Sequence, residues 1–576
     1  MSMDIRLALL MAVVVALYGT LAVMILRRIL HPTALKVFYV LMAVEAILPF
    51  LHLLTREQHT FWDWFFNPSA ELALDAAFSA GQYVVVALIT FMIGAAGNWP
   101  KWWQRPYWFI FAGFFAFLGL DEYFTLHETV LLWRYMYPLA GVIFITLTLI
   151  AFWTGFRRDR SVMVSVIVGL AIMGFAGVGL DTFANSTALS FGPINLGWLA
   201  CRGELLGIGC QRYGLLEEFL EKVGVTLILV TTLSYVIRRT NARGWHLTRR
   251  LVMTGVALWA AWAVSNVWLI PTARAQFLAA PARAEYLDGD LQLLGYQTSQ
   301  TVARPGDTIN VTLYFRANRW LSDNYYLSVH LLSHPEVESV AQFDLQLGEW
   351  AYPTSAWIPG FAEDNTVELT LPDDLPTPAS YWLMARVWIA GDDLLEPNPE
   401  GLPITETDRP LVTPDSLVVF SLPVLSDEAA PPPPAEAAYT FSGDFTLTGY
   451  ALPERAVLGG SLPLEVWWQT GPHMAVSDDL TQFVHLFHSN GEDYYVYDRQ
   501  PFDGRFPTSD WPPGIDVVDR FSVPLPDDLP PGEYRVQTGL YEPENHDRIP
   551  VVGPDGSEVT DYSILLGTVI IDAGNG

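Results

Sequence analysis

The feature that most limits what this chain can fold into is a series of apolar runs in its first half. They fall at 5–26, 34–54, 72–96, 107–127, 135–155, 161–185, 215–237 and 250–270. Each approaches or exceeds the ~20 residues that a helix needs to cross ~30 Å of hydrocarbon. In that medium every backbone N–H and C=O has to be paired within the protein, which favours helices over open strands. The sequence therefore predicts a polytopic transmembrane helical domain over residues 1–275, with about eight spans. The first run is long and ends in Arg27 and Arg28 without a small-residue cleavage site, so it reads as a retained helix rather than a signal peptide.

Basic residues between the runs set an orientation. Arg27, Arg28 and Lys36 follow the first run; Lys101 and Arg105 follow the third; Arg157, Arg158 and Arg160 follow the fifth; Arg238, Arg239, Arg243, Arg249 and Arg250 follow the seventh. The remaining loops are poor in Lys and Arg. Cytoplasmic loops carry the basic excess, so the N-terminus and everything after Pro271 are expected outside the cytoplasm of a multi-pass cell-membrane protein. Cys201 and Cys210 fall in a loop on that outer side, where a disulfide is expected. The alternative is two unpaired small apolar residues.

Charge divides the chain in the same place. Residues 1–275 hold 20 Lys+Arg and 15 Asp+Glu, whereas residues 276–576 hold 12 Arg, no Lys and 46 Asp+Glu. Two environments are implied rather than one fold. So acidic a second half excludes nucleic acid as a partner, because phosphate contacts need Lys and Arg. Its charge reads first as solubility, and no run has the ligand spacing of an EF-hand.

Ionisable residues inside apolar runs are costly and mark function. Here they gather at helix ends expected on the outer side: Asp121-Glu122-Tyr123-Phe124-Thr125-Leu126-His127-Glu128, then Asp181-Thr182-Phe183-Ala184-Asn185, then Glu217-Glu218-Phe219-Leu220-Glu221-Lys222. Asp121 and Glu128 share a helix face by spacing, as do Glu217 and Glu221. Glu122 and Glu218 point about a quarter-turn away. Glu45, His52 and Asp75 fall in the same half of the membrane and are expected in an outer shell. So many carboxylates at one depth have to be relieved by protons, a cation or water. Asp121, His127, Glu128, Asp181, Glu217 and Glu221 are the expected ligands of a divalent metal such as Zn, Mn, Fe, Mg or Ca, with Glu122 or Glu218 as proton carrier. Two alternatives stay open: solvated groups that cap helix ends and pair with Arg134, Arg202 or Arg212, and a proton or ion relay.

These acidic and histidine signatures resemble a group of uncharacterised bacterial multi-helix membrane proteins over residues 1–270. More distantly they look like membrane-embedded hydrolases of the alkaline ceramidase kind, which hold zinc among their helices. Those enzymes use three histidines, whereas His127 is the only histidine within the signatures here.

The second half repeats itself. Leu294-Gly295-Tyr296 matches Thr448-Gly449-Tyr450, Val329-His330-Leu331 matches Val484-His485-Leu486, and Leu371-Pro372-Asp373-Asp374-Leu375-Pro376 matches Leu525-Pro526-Asp527-Asp528-Leu529-Pro530. Tyr352-Pro353-Thr354-Ser355-Ala356-Trp357-Ile358-Pro359-Gly360 matches Phe506-Pro507-Thr508-Ser509-Asp510-Trp511-Pro512-Pro513-Gly514. The offset stays at 154 or 155. Short alternating strands separated by turn residues predict two tandem all-β sandwich domains, 285–425 and 439–574, joined by a Pro/Ala-rich linker at 426–438. Pro-Gly in the tryptophan block predicts a type II turn in each copy. His330 and His485 are expected as satisfied strand residues, and Trp357 and Trp511 as packing under that turn rather than as sugar-stacking platforms. The blocks resemble sandwich modules attached to bacterial membrane glycosyltransferases, which implies an extracytoplasmic, glycan-facing accessory role.

Three functions compete on these grounds. The first is a metal-dependent hydrolase of a lipid or lipid-linked substrate. The second is a non-enzymatic envelope scaffold whose sandwiches bind glycan or another protein. The third is an ion-coupled transporter. Membrane lipid is an expected partner in all three.

Overall fold

The computed structural model describes residues 3–55, 60–67, 73–97, 99–124, 133–156, 160–180, 213–348, 352–389, 401–474, 476 and 478–573, together with four two-residue strands between 190 and 209. Its first half is helical: α1 (Met3–Ile29), α2 (Pro32–Thr55), α3 (Phe61–Phe65), α4 (Leu74–Ala96), α5 (Gln104–Phe124), α6 (Trp133–Thr154), α7 (Arg160–Gly174), α8 (Gly214–Arg239), α9 (Ala242–Val264) and α10 (Ile270–Phe277). A π-helical turn at Phe175–Leu180 extends α7, and another at Ser265–Leu269 joins α9 to α10. Between α7 and α8, β1 (Ser190–Phe191) pairs with β2 (Ile194–Asn195), and β3 (Glu204–Leu205) with β4 (Ile208–Gly209).

Among the described residues six stretches are long and apolar enough to cross a membrane: Ile5–Ile29, Pro32–Thr55, Leu74–Ala96, Arg160–Gly177, Gly214–Arg239 and Ala242–Phe277. The other two expected runs are helical as well, as α5 and α6. Burial separates the helices by role. In the apolar window of α8, 78% of residues are buried, against 17% for α1. Leu9, Val13, Leu17 and Leu21 of α1 are exposed, as suits a helix whose solvent is lipid. α8 approaches α7 at two glycines: a Cβ on Gly169 would stand 2.7 Å from the Gly224 carbonyl, and one on Gly224 would stand 2.7 Å from the Gly169 carbonyl. Small residues at a crossing let membrane helices meet backbone to backbone, and this seats α8 as the central helix.

The segments Arg316–Asn324 and Gln346–Glu363 belong to the same compact unit as the helices, which the sequence boundaries did not foresee. Within that unit Trp268 Nε1 donates to Tyr352 Oη at 3.1 Å, and the Trp64 ring lies 4.4 Å from that of Tyr352.

The rest of the chain is rich in sheet. Strands β5 (Ala284–Tyr286), β6 (Leu291–Thr298), β7 (Thr308–Ala317), β8 (Tyr325–Ser333), β9 (Ser339–Gln346), β10 (Ala362–Thr370), β11 (Ala379–Ile389), β12 (Ile404–Thr407), β13 (Leu411–Thr413) and β14 (Ser416–Val424) form two five-stranded sheets, ordered β10-β7-β6-β5-β12 and β13-β14-β11-β8-β9. Strands β15 (Ala435–Phe441), β16 (Phe445–Ala451), β17 (Arg455–Val457), β18 (Ser461–Thr470), β19 (Thr481–His488), β20 (Tyr494–Arg499), β21 (Asp516–Pro524), β22 (Gly532–Tyr541), β23 (Val551–Val552) and β24 (Ile564–Asp572) form two more, ordered β21-β18-β16-β15-β23 and β17-β24-β22-β19-β20. The orders correspond strand for strand except at one edge. There β17 lies parallel to β24, whereas β13 lies antiparallel to β14.

Alternation explains the later pair. Leu462, Leu464, Val466 and Trp468 of β18 share one core with Val484 and Leu486 of β19, Tyr534 and Val536 of β22, and Val569 and Ile571 of β24. Gly360 and Gly514 carry φ of 93° and 79°, the left-handed conformation that the predicted Pro-Gly turns require. Under those turns Trp357 and Trp511 are buried, and their indole N–H groups donate to the carbonyls of Tyr352 and Phe506 at 2.8 and 3.1 Å.

Candidate functional site

The site is built on the N-terminal part of α8. Glu217 stands in the first turn, where the helix dipole favours a carboxylate. Glu218 and Lys222 are four apart and therefore meet on one face: Lys222 Nζ lies 3.0 Å from Glu218 Oε2 and donates to the Glu218 carbonyl at 3.2 Å. From the first turn of α4, Asp75 reaches the same ammonium with Oδ2 at 2.6 Å. The side chains of Lys222 and Asp75 are each 5% exposed, and that of Glu218 is 29% exposed. An ion pair at such burial persists only because each charge has its partner in place.

One turn deeper on α8 a second polar group forms around Glu45 of α2. Gln82 Nε2 of α4 donates to Glu45 Oε1 at 2.9 Å and to Thr226 Oγ1 at 2.8 Å. Thr226 in turn donates to Glu45 Oε1, and Tyr18 Oη of α1 to Glu45 Oε2 at 3.4 Å. Glu45, Asp75, Glu218 and Lys222 line one narrow cleft, walled by Leu215 and Phe219. Its free volume is about 10 Å³, the room of roughly one water molecule.

Two more carboxylates stand close by. Glu122 of α5 lies within electrostatic reach of Asp75, Glu218, Glu221 and Lys222. Glu221 packs against the π-helical turn after α7, where a Cβ on Gly177 would stand 2.4 Å from Glu221 Oε1.

The structure redistributes the roles expected from sequence. Glu122 lies within electrostatic reach of Glu218 and Glu221. Glu45 and Asp75, expected in an outer shell, instead form the buried interior with Lys222, to which the sequence reading assigned no role. Asp121 is buried and Glu217 half-buried. His127, Glu128 and Asp181 lie outside the described residues, as do Cys201 and Cys210 with their expected disulfide. Among the described residues no group of three or more His, Cys, Asp or Glu side chains is arranged to hold a metal ion. Gln82, Thr226 and Tyr18 were missed too. The available signal was a polar residue inside an otherwise apolar run, at positions two turns from Asp75 and one turn from Lys222.

In the sheet-rich part, His330 Nδ1 lies 3.1 Å from Ser339 Oγ, and His485 Nε2 lies 3.9 Å from Asp498 Oδ1. Partial burial pushes both imidazoles below their ordinary range, against the smaller opposing pull of Asp344 and Asp498.

Residues 59–236 match the model of a family described as a domain of unknown function, DUF8692. That span holds α3 to α7 and nearly all of α8, and with them Asp75, Glu122, Glu218 and Lys222. No curated protein matches the chain. Among solved structures, red sea bream transglutaminase is similar at 10% identity and a TM-score of 0.16, over 49% of this chain and 31% of that one. The CARDB domain of a Pyrococcus furiosus protein, in complex with di-metal ions, is similar at 13% identity and a TM-score of 0.13, over 26% of this chain and 98% of that one. At these scores neither likeness bears on function, and the chain spans only 31% of the transglutaminase's length.

Proposed function

We propose that this chain is a multi-pass protein of the cell envelope that handles ions at an outward-facing carboxylate–lysine centre, with two extracytoplasmic β-sandwich domains that bind a glycan or another envelope protein. About eight membrane spans and an external N-terminus complete the reading, on the evidence of loop charge. The observation that carries it is the charge balance around Lys222. One ammonium serves Asp75 and Glu218 directly, while Glu122 and Glu221 lie in reach. Carboxylates gathered around one ammonium in a poorly solvated place favour the uptake of protons or cations. The matched strand orders and the shared core of the later sheet pair support two sandwiches that arose by duplication.

Proton flux tests the ionic part. Full-length protein is reconstituted in vesicles loaded with a pH-sensitive dye, and an external pH step is applied. The expected result is flux above that of empty vesicles, reduced at least tenfold by Glu122→Gln. Wild-type flux equal to empty vesicles refutes ion coupling.

A second reading is a metal-dependent hydrolase of a lipid or lipid-linked substrate, favoured by the approach of Glu122 to Glu218, the two candidate proton carriers. Its metal would draw on Asp121, His127, Glu128, Asp181, Glu217 and Glu221. A stoichiometric divalent ion in purified protein, lost in Glu221→Gln, supports it. Absence of bound metal across several preparations eliminates it.

A further inference from the structure

Glu45 is a carboxyl group 1% exposed in the middle of an apolar helix, and its hydrogen-bond partners carry no charge. Gln82 and Thr226 donate to Oε1, and Tyr18 donates to Oε2. The cation nearest in the network is Lys222, one turn back along α8. Its ammonium is already committed to Asp75 Oδ2, Glu218 Oε2 and the Glu218 carbonyl. A buried carboxylate without a cation of its own takes up a proton rather than hold its charge in a low dielectric.

Two further observations bear on how a proton reaches Glu45. Pro49, one turn beyond Glu45 on α2, has no N–H to give, so the Glu45 carbonyl loses its helical donor. Pro49 and Glu45 both line the cleft that Asp75, Glu218 and Lys222 share, and this cleft has room for about one water. Glu45 therefore borders the cleft at Lys222 and is hydrogen-bonded to Thr226 and Gln82.

We infer that Glu45 is a proton-binding carboxyl of the helical unit, loaded through the cleft at Asp75, Glu218 and Lys222. The groups that face it are Tyr18 from α1, Asp75 and Gln82 from α4, and Glu218, Lys222 and Thr226 from α8; Phe66, just after α3, adds only an apolar wall. On α2 itself, His52 lies two turns along. The proton binds and leaves at a Glu45 oxygen, and no covalent bond other than O–H is made. This assignment takes its physiological meaning from the ion-coupling reading, but Glu45 binds its proton whether or not flux is coupled to it.

Infrared difference spectroscopy of the full-length protein in nanodiscs, titrated with pH in H₂O and D₂O, tests the assignment. A protonated-carboxyl C=O band is expected at neutral pH, lost in Glu45→Gln, retained in Glu45→Asp at a changed frequency, and retained in Asp75→Asn. Thr226→Val removes one donor to the ionised form and is expected to tighten proton binding about tenfold. An unchanged band in Glu45→Gln overturns the proposal. So does a band that responds to Na⁺ at fixed pH and not to pH. A Glu45 band present in a protein that shows no proton flux leaves this proposal standing and removes the ion-coupling reading instead.

Discussion

Replacing Lys222 by methionine keeps the apolar stem and deletes one charge. Glu218, with 29% of its side chain exposed, can turn toward water, but Asp75, at 5%, cannot. The loss therefore falls on Asp75. Removing one partner of a buried pair costs about 3–5 kcal/mol, because the other charge is left uncompensated. A proton sets a ceiling on that cost. Protonating an ordinary carboxyl at pH 7 takes about 4 kcal/mol, from about three pH units at roughly 1.36 kcal/mol each, and only about 1.5 kcal/mol at pH 5. Lys222→Met is thus expected to lose about 3–4 kcal/mol at neutral pH and no more than about 1.5 kcal/mol at pH 5. Falling pH relieves this variant relative to the wild type. Asp75→Asn costs less, because Lys222 keeps Glu218. The double variant, with both charges gone, is expected to be more stable than Lys222→Met alone, with a coupling of about 2–3 kcal/mol. Unfolding of full-length protein in bicelles, titrated with a denaturing detergent at both pH values, gives all four corners of the cycle. Additive costs, with a coupling under about 0.5 kcal/mol, or a penalty that ignores pH, would refute the ion pair as described.

Three other outcomes are expected. Gly177→Ala places a methyl 2.4 Å from Glu221 Oε1 and displaces that carboxylate, so proton flux falls severalfold while the protein still folds, as size-exclusion profiles will report. In the later sheet pair, Arg499 Nη1 meets Asp519 Oδ2 at 2.5 Å with side chains 4% and 1% exposed, and Asp519 also accepts from the Phe502 N–H at 3.0 Å. Asp519→Ala is therefore expected to cost about 3–5 kcal/mol in hydrogen exchange of β21, whereas Asp503→Ala, at a partner 62% exposed, costs about 0–1 kcal/mol. Burial lowers the His330 and His485 imidazoles, so their neutral form belongs to the folded state. Their contribution is whole above an ordinary histidine's ~6.5 and is lost as pH falls through the lowered folded values. The double variant His330→Gln/His485→Gln should flatten the decline in sheet stability between about pH 6.5 and 5, as followed by thermal melts.

How far sequence could reach differs between the parts. Apolar runs mark the helices because length and hydropathy are local properties. Period-two alternation marks the strands for the same reason: in β21 Val517, Asp519, Phe521 and Val523 alternate inward, as the pattern requires. The pairing of Glu218 with Lys222 was legible from a spacing of four, since both sit on one helix. The pairing of Lys222 with Asp75 was not, because it depends on how α8 lies against α4, and Gly169 and Gly224 set the packing of α8 only against α7. Glu45 was misplaced for a related reason. A carboxyl in an apolar run declares that something meets it, but Gln82 and Thr226 come from helices far away in sequence. The sequence reading of the acids left out Lys222, which meets Asp75 and Glu218.

The central claim is that the carboxylate–lysine cleft opens to the outer face. Leu215 lines that cleft and is not one of its ionisable groups, so it serves as a reporter. Leu215→Cys, in a background carrying Cys201→Ser and Cys210→Ser, is exposed to a membrane-impermeant maleimide in intact cells and, separately, in inverted vesicles. Labelling from the outside and not from the cytoplasmic side is the predicted result. Labelling from the cytoplasmic side alone would contradict the account.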